Sequence, residues 1–373
     1  EGDALRSGQD IGRRLGEMQA NNDYMQKFNN DWRRSIPDDR YIISEYGLEL
    51  QTANYRELFI SGFYDGYSEG YNNKYKELAQ GAGVDKTISE IIPISGASVN
   101  TPDNAFNVTI LPGTYYHQVN LGVNKSYDVG NKSFTTLVKA SDSYKVSLLN
   151  TSGNLDDDKL VALSFEYYGH KIKGGIYKLV SGYWEYLPTT IENNIMTTYI
   201  KPSSLSSTGN IYSAFMDDNV MVLADARGHW AKDEINTYVR RGIIYGYSDM
   251  TFKPEQNISR AEFLTLLSRI YKWNTTIFTG QNLGFVDSNL FGSRAGIITY
   301  SYANGYIKGY SDGTFKPNNP ISYSEIEIIM GRVLNNPYFR WKDTANNMLY
   351  NKKIRSNSFD NMNNKITRAE VVY

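Results

Sequence analysis

Two stretches near the C-terminus repeat each other almost residue for residue, and this repetition limits what the chain can fold into. Gly242-Ile243-Ile244-Tyr245-Gly246-Tyr247-Ser248-Asp249-Met250-Thr251-Phe252-Lys253-Pro254 is followed by Ile258-Ser259-Arg260-Ala261-Glu262-Phe263. Gly305-Tyr306-Ile307-Lys308-Gly309-Tyr310-Ser311-Asp312-Gly313-Thr314-Phe315-Lys316-Pro317 is followed by Ile321-Ser322-Tyr323-Ser324-Glu325-Ile326. A third, partial copy reads Ile366-Thr367-Arg368-Ala369-Glu370. Glu262 and Glu325 lie 63 residues apart, and Glu325 and Glu370 lie 45 apart. A unit of this size cannot bury its apolar face alone, so neighbouring copies must pack together, and grooves arise between them.

Each part of the repeat has its own physical reading. Gly246 and Gly309 let the chain turn where a side chain would obstruct it. Pro254 and Pro317 stiffen the exit from the loop. Ser259 and Ser322, with Glu262 and Glu325 three residues on, form the pattern of a capping box. Arg260 then falls in the first helical turn, where its guanidinium and free backbone N–H groups would make an anion site. Thr367, Arg368 and Glu370 repeat the arrangement. Tyr323 takes the arginine position in the second copy; it can stack or donate one hydrogen bond but brings no charge. Because a hydrogen bond to a charged group contributes about 1.5–3 kcal/mol, that site is expected to be weakened.

The charge distribution points to the same end of the chain. Residues 1–218 carry 20 Lys+Arg against 27 Asp+Glu, whereas residues 219–373 carry 19 against 13. The repeat region is thus the end that attracts an anion. The net charge of the whole chain is −1, which argues against a general nucleic-acid binder. Absence of cysteine excludes disulfides, thiolate metal sites and cysteine nucleophiles. No apolar run approaches the ~20 residues of a membrane helix. Glu1 opens without a charged and apolar leader, so a secretion signal, if there was one, is expected to have been removed.

Upstream, residues 1–85 read as helical. Ala4, Gly8, Ile11, Leu15, Met18 and Met25 share one helix face, with Gly8, Gly12 and Gly16 every fourth residue. Pro37-Asp38-Asp39 marks a break. A second helix is expected from about Thr52 to Gln80, ended by Gly81 and Gly83. It has Phe59, Phe63, Tyr67, Tyr71 and Tyr75 interleaved with Gly62, Gly66 and Gly70. Six glycines in helix interiors cost roughly 1 kcal/mol each and need a compensating close approach of two backbones. A helical hairpin core and an intermolecular contact would both supply it.

Residues 86–218 change to the alternation of short strands. Phe106, Val108 and Ile110 alternate with polar neighbours; Leu160 to Phe165, Ile176 to Leu179, Tyr183 to Tyr186, Ile195 to Ile200 and Ile211 to Phe215 continue a meander. A β-sandwich is expected, loosely similar to the immunoglobulin-like modules of Gram-positive surface proteins.

The C-terminal repeats resemble the S-layer homology family. The residues that carry the resemblance are Asp225, Gly228-His229-Trp230-Ala231, the Gly-Tyr-Ser-Asp loops, Phe-Lys-Pro and Ile-Ser-Arg-Ala-Glu. Copies would span 219–280, 281–338 and, in part, 339–373. The resemblance implies a pseudo-three-fold prism of helices whose grooves bind secondary cell-wall polysaccharide, commonly ending in a pyruvylated sugar. It implies that Arg260 and Arg368 pair with the anion, that Trp230 offers a sugar-stacking surface, and that Asp249 with Gly246, and Asp312 with Gly309, shape the grooves. Departures are Tyr323, Met250 in place of a glycine, a second copy that lacks the His-Trp pair and has Phe291-Gly292 nearby, and a third copy without its Gly-Tyr-Ser-Asp loop.

No metal spacing surrounds His117, His170 or His229, and Asp156-Asp157-Asp158 reads as a solvated turn. No P-loop, dinucleotide fingerprint or Gly-x-Ser-x-Gly occurs. The expectation is a multidomain α+β protein of the cell surface, non-enzymatic and without a cofactor, anchored to wall polysaccharide. The alternative is a self-assembling surface-layer or fibre subunit in which the glycine–aromatic helices make subunit contacts.

Overall fold

A computed structural model describes residues 2–80, 88–128, 130, 136–150, 153–278, 284–352 and 359–373. Gly81 and Gly83, and the expected boundaries near 85 and 280, lie outside these. Backbone contacts divide the chain into two units, Glu1–Val220 and Met221–Tyr373.

The first unit opens with α1 (Gly2–Met25), a short α2 (Asp39–Glu45) and a long α3 (Ala53–Gln80). The glycine rows face each other across α1 and α3. A Cβ added at Gly8, Gly12 or Gly16 would lie 2.1 Å from the carbonyl oxygen of Phe59, Phe63 or Tyr67 in turn. One added at Gly62, Gly66 or Gly70 would lie 2.1–2.2 Å from that of Leu5, Gln9 or Arg13. Only hydrogen fits there, and the glycines let Cα–H groups meet carbonyls across the seam.

The partners ascend together along both helices, so α1 and α3 run parallel. This corrects the expected hairpin, which would be antiparallel. Residues 26–52 return the chain along the pair instead and cover the aromatic row. Phe63, Tyr67, Tyr71 and Tyr75 stack in succession with centroids 6.0, 6.5 and 6.0 Å apart. The Tyr67 hydroxyl donates to Ser35 O and that of Tyr75 to Phe28 O. The Tyr71 hydroxyl donates to buried Asp23, which also pairs with Arg34 at 2.6 Å. The intermolecular use of these glycines is likewise corrected: their close contacts are made within the chain.

Two antiparallel sheets follow. The first has the order β1 (Ile88–Ile92), β4 (Val119–Ser126), β6 (Ser143–Leu148), β12 (Asn210–Asp217), β8 (Gly174–Val180), β9 (Tyr183–Leu187), with β5 (Leu137–Lys139) also against β12. The second runs β10 (Thr190–Glu192), β11 (Ile195–Ile200), β7 (Val161–Glu166), β3 (Phe106–Ile110), β2 (Ala97–Asn100). Inward residues of both, among them Val108, Leu163, Phe165, Leu121, Val146 and Tyr212, form one core. The expected turn between β8 and β9 holds Ser181 and Gly182 at φ 51° and 83°, the twist a tight hairpin needs.

The helix pair is fastened to the sheets by ion pairs. Arg14 meets Glu166 at 2.6 Å, and Asp142 receives Lys74 at 2.9 Å and Lys125 at 3.0 Å. Burial alone would raise the pKa of Asp142, but the two ammonium groups pull it well below the usual carboxylate range.

The second unit contains α4 (Lys232–Arg240), α5 (Arg260–Ile270), α6 (Ala295–Ala303), α7 (Tyr323–Val333), α8 (Trp341–Lys352) and α9 (Arg368–Val372) around one core. Its centre is a ring of three backbone hydrogen bonds. Ile258 N donates to Ile366 O, Ile366 N to Ile321 O, and Ile321 N to Ile258 O, at 3.0–3.2 Å. Among the described residues no helix is long and apolar enough to cross a membrane.

Candidate functional site: the helix mouths and their grooves

The three copies meet where α5, α7 and α9 begin. Ser259, Ser322 and Thr367 each cap their helix, and Glu262, Glu325 and Glu370 each return a hydrogen bond, so all three capping boxes are complete. The next two N–H groups of each helix are not free. Arg260 N and Ala261 N donate to Asn319 O and Pro317 O; Tyr323 N and Ser324 N to Asn364 O and Met362 O; Arg368 N and Ala369 N to Gln256 O and Pro254 O. Each loop thus docks on the helix mouth of another copy, in closed cyclic order. The expectation of free N–H groups for an anion is corrected: neighbouring carbonyls already hold them.

The loops are shaped by carboxylates. Asp225 accepts from Phe252 N and Lys253 N, and Asp287 from Phe315 N and Lys316 N. Asp249 accepts from the Thr251 N–H and hydroxyl, and Asp312 from those of Thr314. The Thr314 bonds pull the pKa of Asp312 down to about 2. Gly246 and Gly309 have no positive φ; their missing side chains make room instead. A Cβ there would lie 2.5 Å from Leu223 and 2.6 Å from Phe285, respectively. Met250 holds φ 62° where the second copy has Gly313 at 77°.

Arg260 and Arg368 occupy equivalent places but keep different company. Arg260 is 5% exposed; its Nε donates to Phe315 O, and its guanidinium lies over Tyr310 and Phe315. Its Nη1 pairs with Glu325 Oε1 at 2.6 Å. The Tyr310 hydroxyl also donates to Glu325. Glu325 would be raised by burial, yet the Tyr310 and Ser322 bonds and Arg260 bring its pKa below the ordinary value. Tyr310 is pushed up to about 12 by burial and by this carboxylate.

Arg368 is 6% exposed and repeats the Nε bond, to Phe252 O, and the stacking over Tyr247 and Phe252. Its other bond goes to Tyr245 O, and among the described residues no carboxylate pairs with it. Burial lowers its pKa.

Tyr323 is 1% exposed. Its ring stacks on Trp341 at 4.2 Å and meets Phe359 edge-on, and its hydroxyl donates to Glu370 at 3.1 Å. The expected contact of Tyr323 with a ligand is corrected, because Trp341 covers the ring. Trp230 is half-buried between His229 and Tyr373.

A hollow of about 170 Å³ opens beside Arg260, lined by Ile307, Lys308, Gly309, Tyr310, Glu325, Ile328, Ile329 and Arg332. Of the residues that the resemblance assigned to glycan binding, the hollow unites Arg260 and Gly309; Arg368, Trp230, Gly246, Asp249, Asp312 and Tyr323 do not line it. Sequence reasoning missed Lys308 and Arg332. Arg332 stands seven residues after Glu325, as Arg269 stands seven after Glu262, and both donate to equivalent carbonyls, Tyr306 O and Ile243 O. This recurrence was a signal. At the Arg368 mouth the residue matching Lys308 is Tyr245, whose ring covers Arg269 at 4.7 Å.

The S-layer homology domain model matches residues 223–264 and 286–326. An amylopullulanase of Thermoanaerobacterium thermosulfurigenes is 26% identical over 62% of this chain and 12% of its own length. Cell surface glycoprotein 1 of Acetivibrio thermocellus is 40% identical over 30% of this chain and 5% of its own length. The cellulosome-anchoring protein of the same organism is 30% identical over 37% of this chain and 35% of its own length. The chain thus spans about a third or less of these relatives. It is a cell-surface protein, and the paired copies that meet at the Arg260 mouth are S-layer homology domains.

Proposed function

We propose that the second unit anchors the protein without covalent bonds to an acidic cell-wall polysaccharide, which enters the groove beside Arg260. The carrying observation is the hollow itself: two apolar walls, Ile307 and Ile328, with Lys308 exposed at its rim and Arg332 half-buried beside it. Arg260 is held by Glu325 and stacked between rings, so its charge is largely offset within the protein and it orients Glu325 rather than meeting the ligand. Lys308 then meets the incoming anion, a carboxylate such as that of a pyruvylated sugar. The excess of basic residues after position 219 draws the polymer to this end.

On this reading the three copies form a pseudo-three-fold prism; the cyclic Ile258–Ile321–Ile366 hydrogen bonds support it. The catalysis named for the amylopullulanase belongs to that protein, and this chain serves as a non-catalytic attachment region. A second reading, a surface-layer subunit in which the repeats are structural, is favoured by the sealed helix mouths and buried Tyr323. Co-sedimentation with native sacculi decides between them. Retention that disappears when hydrofluoric acid strips the polysaccharide supports anchoring; equal retention on stripped sacculi, or none on either, refutes it.

A further inference from the structure

The hollow beside Arg260 is small for a carbohydrate site. Small-molecule sites commonly measure about 300–1,000 Å³, and this one holds about 170 Å³. It is not isolated, however. A second hollow of about 420 Å³ is lined by Glu327, Gly331, Asn335, Pro337, Phe339 and Arg340, and it shares Ile328 and Arg332 with the first. On α7, Glu325, Ile328, Ile329 and Arg332 form one stripe, and Glu327, Ile328, Gly331 and Arg332 the next. The Ile328–Arg332 ridge therefore lies between two adjoining hollows on one helix face.

We propose that these hollows form one extended site, so that its ligand is an acidic oligosaccharide segment of several units rather than a single terminal sugar. This rests on the anchoring role proposed above. A polymer held by its end must leave the first hollow in some direction, and the shared ridge supplies one. Gly331 lets the loop after α7 pack close against the helix, since a Cβ there would lie 3.2 Å from Asn336 O, and this holds the second hollow beside the first. The far side carries an exposed cation, Arg340, whose Nη1 donates to Pro337 O and Phe339 O. Tyr338 stands in the chain between Pro337 and Phe339, which both line the second hollow, and is 81% exposed, so its ring is available to the C–H side of a sugar. The backbone N–H of Trp341 already donates to Glu327, so this carboxylate is partly engaged. Arg332 and Arg340 leave the trough favourable to a second anionic group.

The test is calorimetric titration of the full chain with wall polysaccharide released by hydrofluoric acid and sized into fragments of increasing length. Affinity is expected to rise about tenfold from the single terminal sugar to a short oligosaccharide and then level off. Arg340→Ala and Tyr338→Ala should each remove most of that increment while leaving single-sugar affinity and the melting temperature unchanged. Affinity independent of length, or both variants matching the parent on long fragments, overturns the extended site but leaves anchoring intact. Binding of no fragment at all overturns anchoring and the extended site together.

Discussion

The parallel helices of the first unit and the ring of repeats in the second both arise from recurring sequence, yet they use it in opposite ways. In α1 and α3 a four-residue recurrence of glycine removes side chains, so that two backbones touch along their length. In the repeats a recurrence of about sixty residues places side chains, and variation at equivalent positions changes what each mouth does. Arg260 borders an open hollow, whereas Tyr323 is covered by Trp341. The first device tolerates almost no change; the second tolerates substitution and turns it into specialisation.

The largest effect should come from breaking the backbone contact. Gly66→Leu would put a Cβ 2.1 Å from Gln9 O and should cost about 4 kcal/mol or more, seen as lost helicity and a lower melting temperature. An unchanged melt would contradict the seam. Tyr323→Ala should cost about 3–4 kcal/mol, because it empties the space against Trp341 and Phe359, and urea unfolding would measure it. Arg260→Ala should cost about 2 kcal/mol by leaving Glu325 half-buried without its cation, and should raise that carboxylate's pKa, which NMR titration can follow.

Acid sharpens the contrast between the units. Asp142 in the first and Glu325 in the second both titrate below their ordinary values in the folded protein. Between pH ~4 and lower, the unfolded chain therefore binds more protons than the folded one, and stability falls as pH falls. Each unit should lose stability in this window, and stability that rose on acidification would contradict both pairings. The smallest effect is expected of Met250→Gly, which relieves a left-handed φ and should stabilise by about 0.5 kcal/mol in a melting experiment.

How much could be read beforehand depended on how local the physics was. The capping boxes were readable, because Ser259 and Glu262 interact within one turn. So was β3, whose alternating burial follows from Phe106, Val108 and Ile110 alone. β6 was missed although Tyr144, Val146 and Leu148 alternate with Ser143, Lys145 and Ser147; in the fold Ser143 and Ser147 are buried as well, so burial does not follow that alternation. The direction of α3 relative to α1 was unreadable, since a four-residue glycine row looks the same for parallel and antiparallel packing. Tyr323 could not be placed without knowing that Trp341, from a different helix, lies on its ring. Lys308 became visible as a groove residue only when its counterpart Tyr245 was seen covering Arg269.

Charge reversal at the groove rim separates binding from folding. Lys308 is exposed, so Lys308→Glu should leave the melting temperature unchanged while abolishing co-sedimentation with native sacculi. A folded Lys308→Glu variant that sediments as fully as the parent would show that the groove beside Arg260 does not hold the wall polymer.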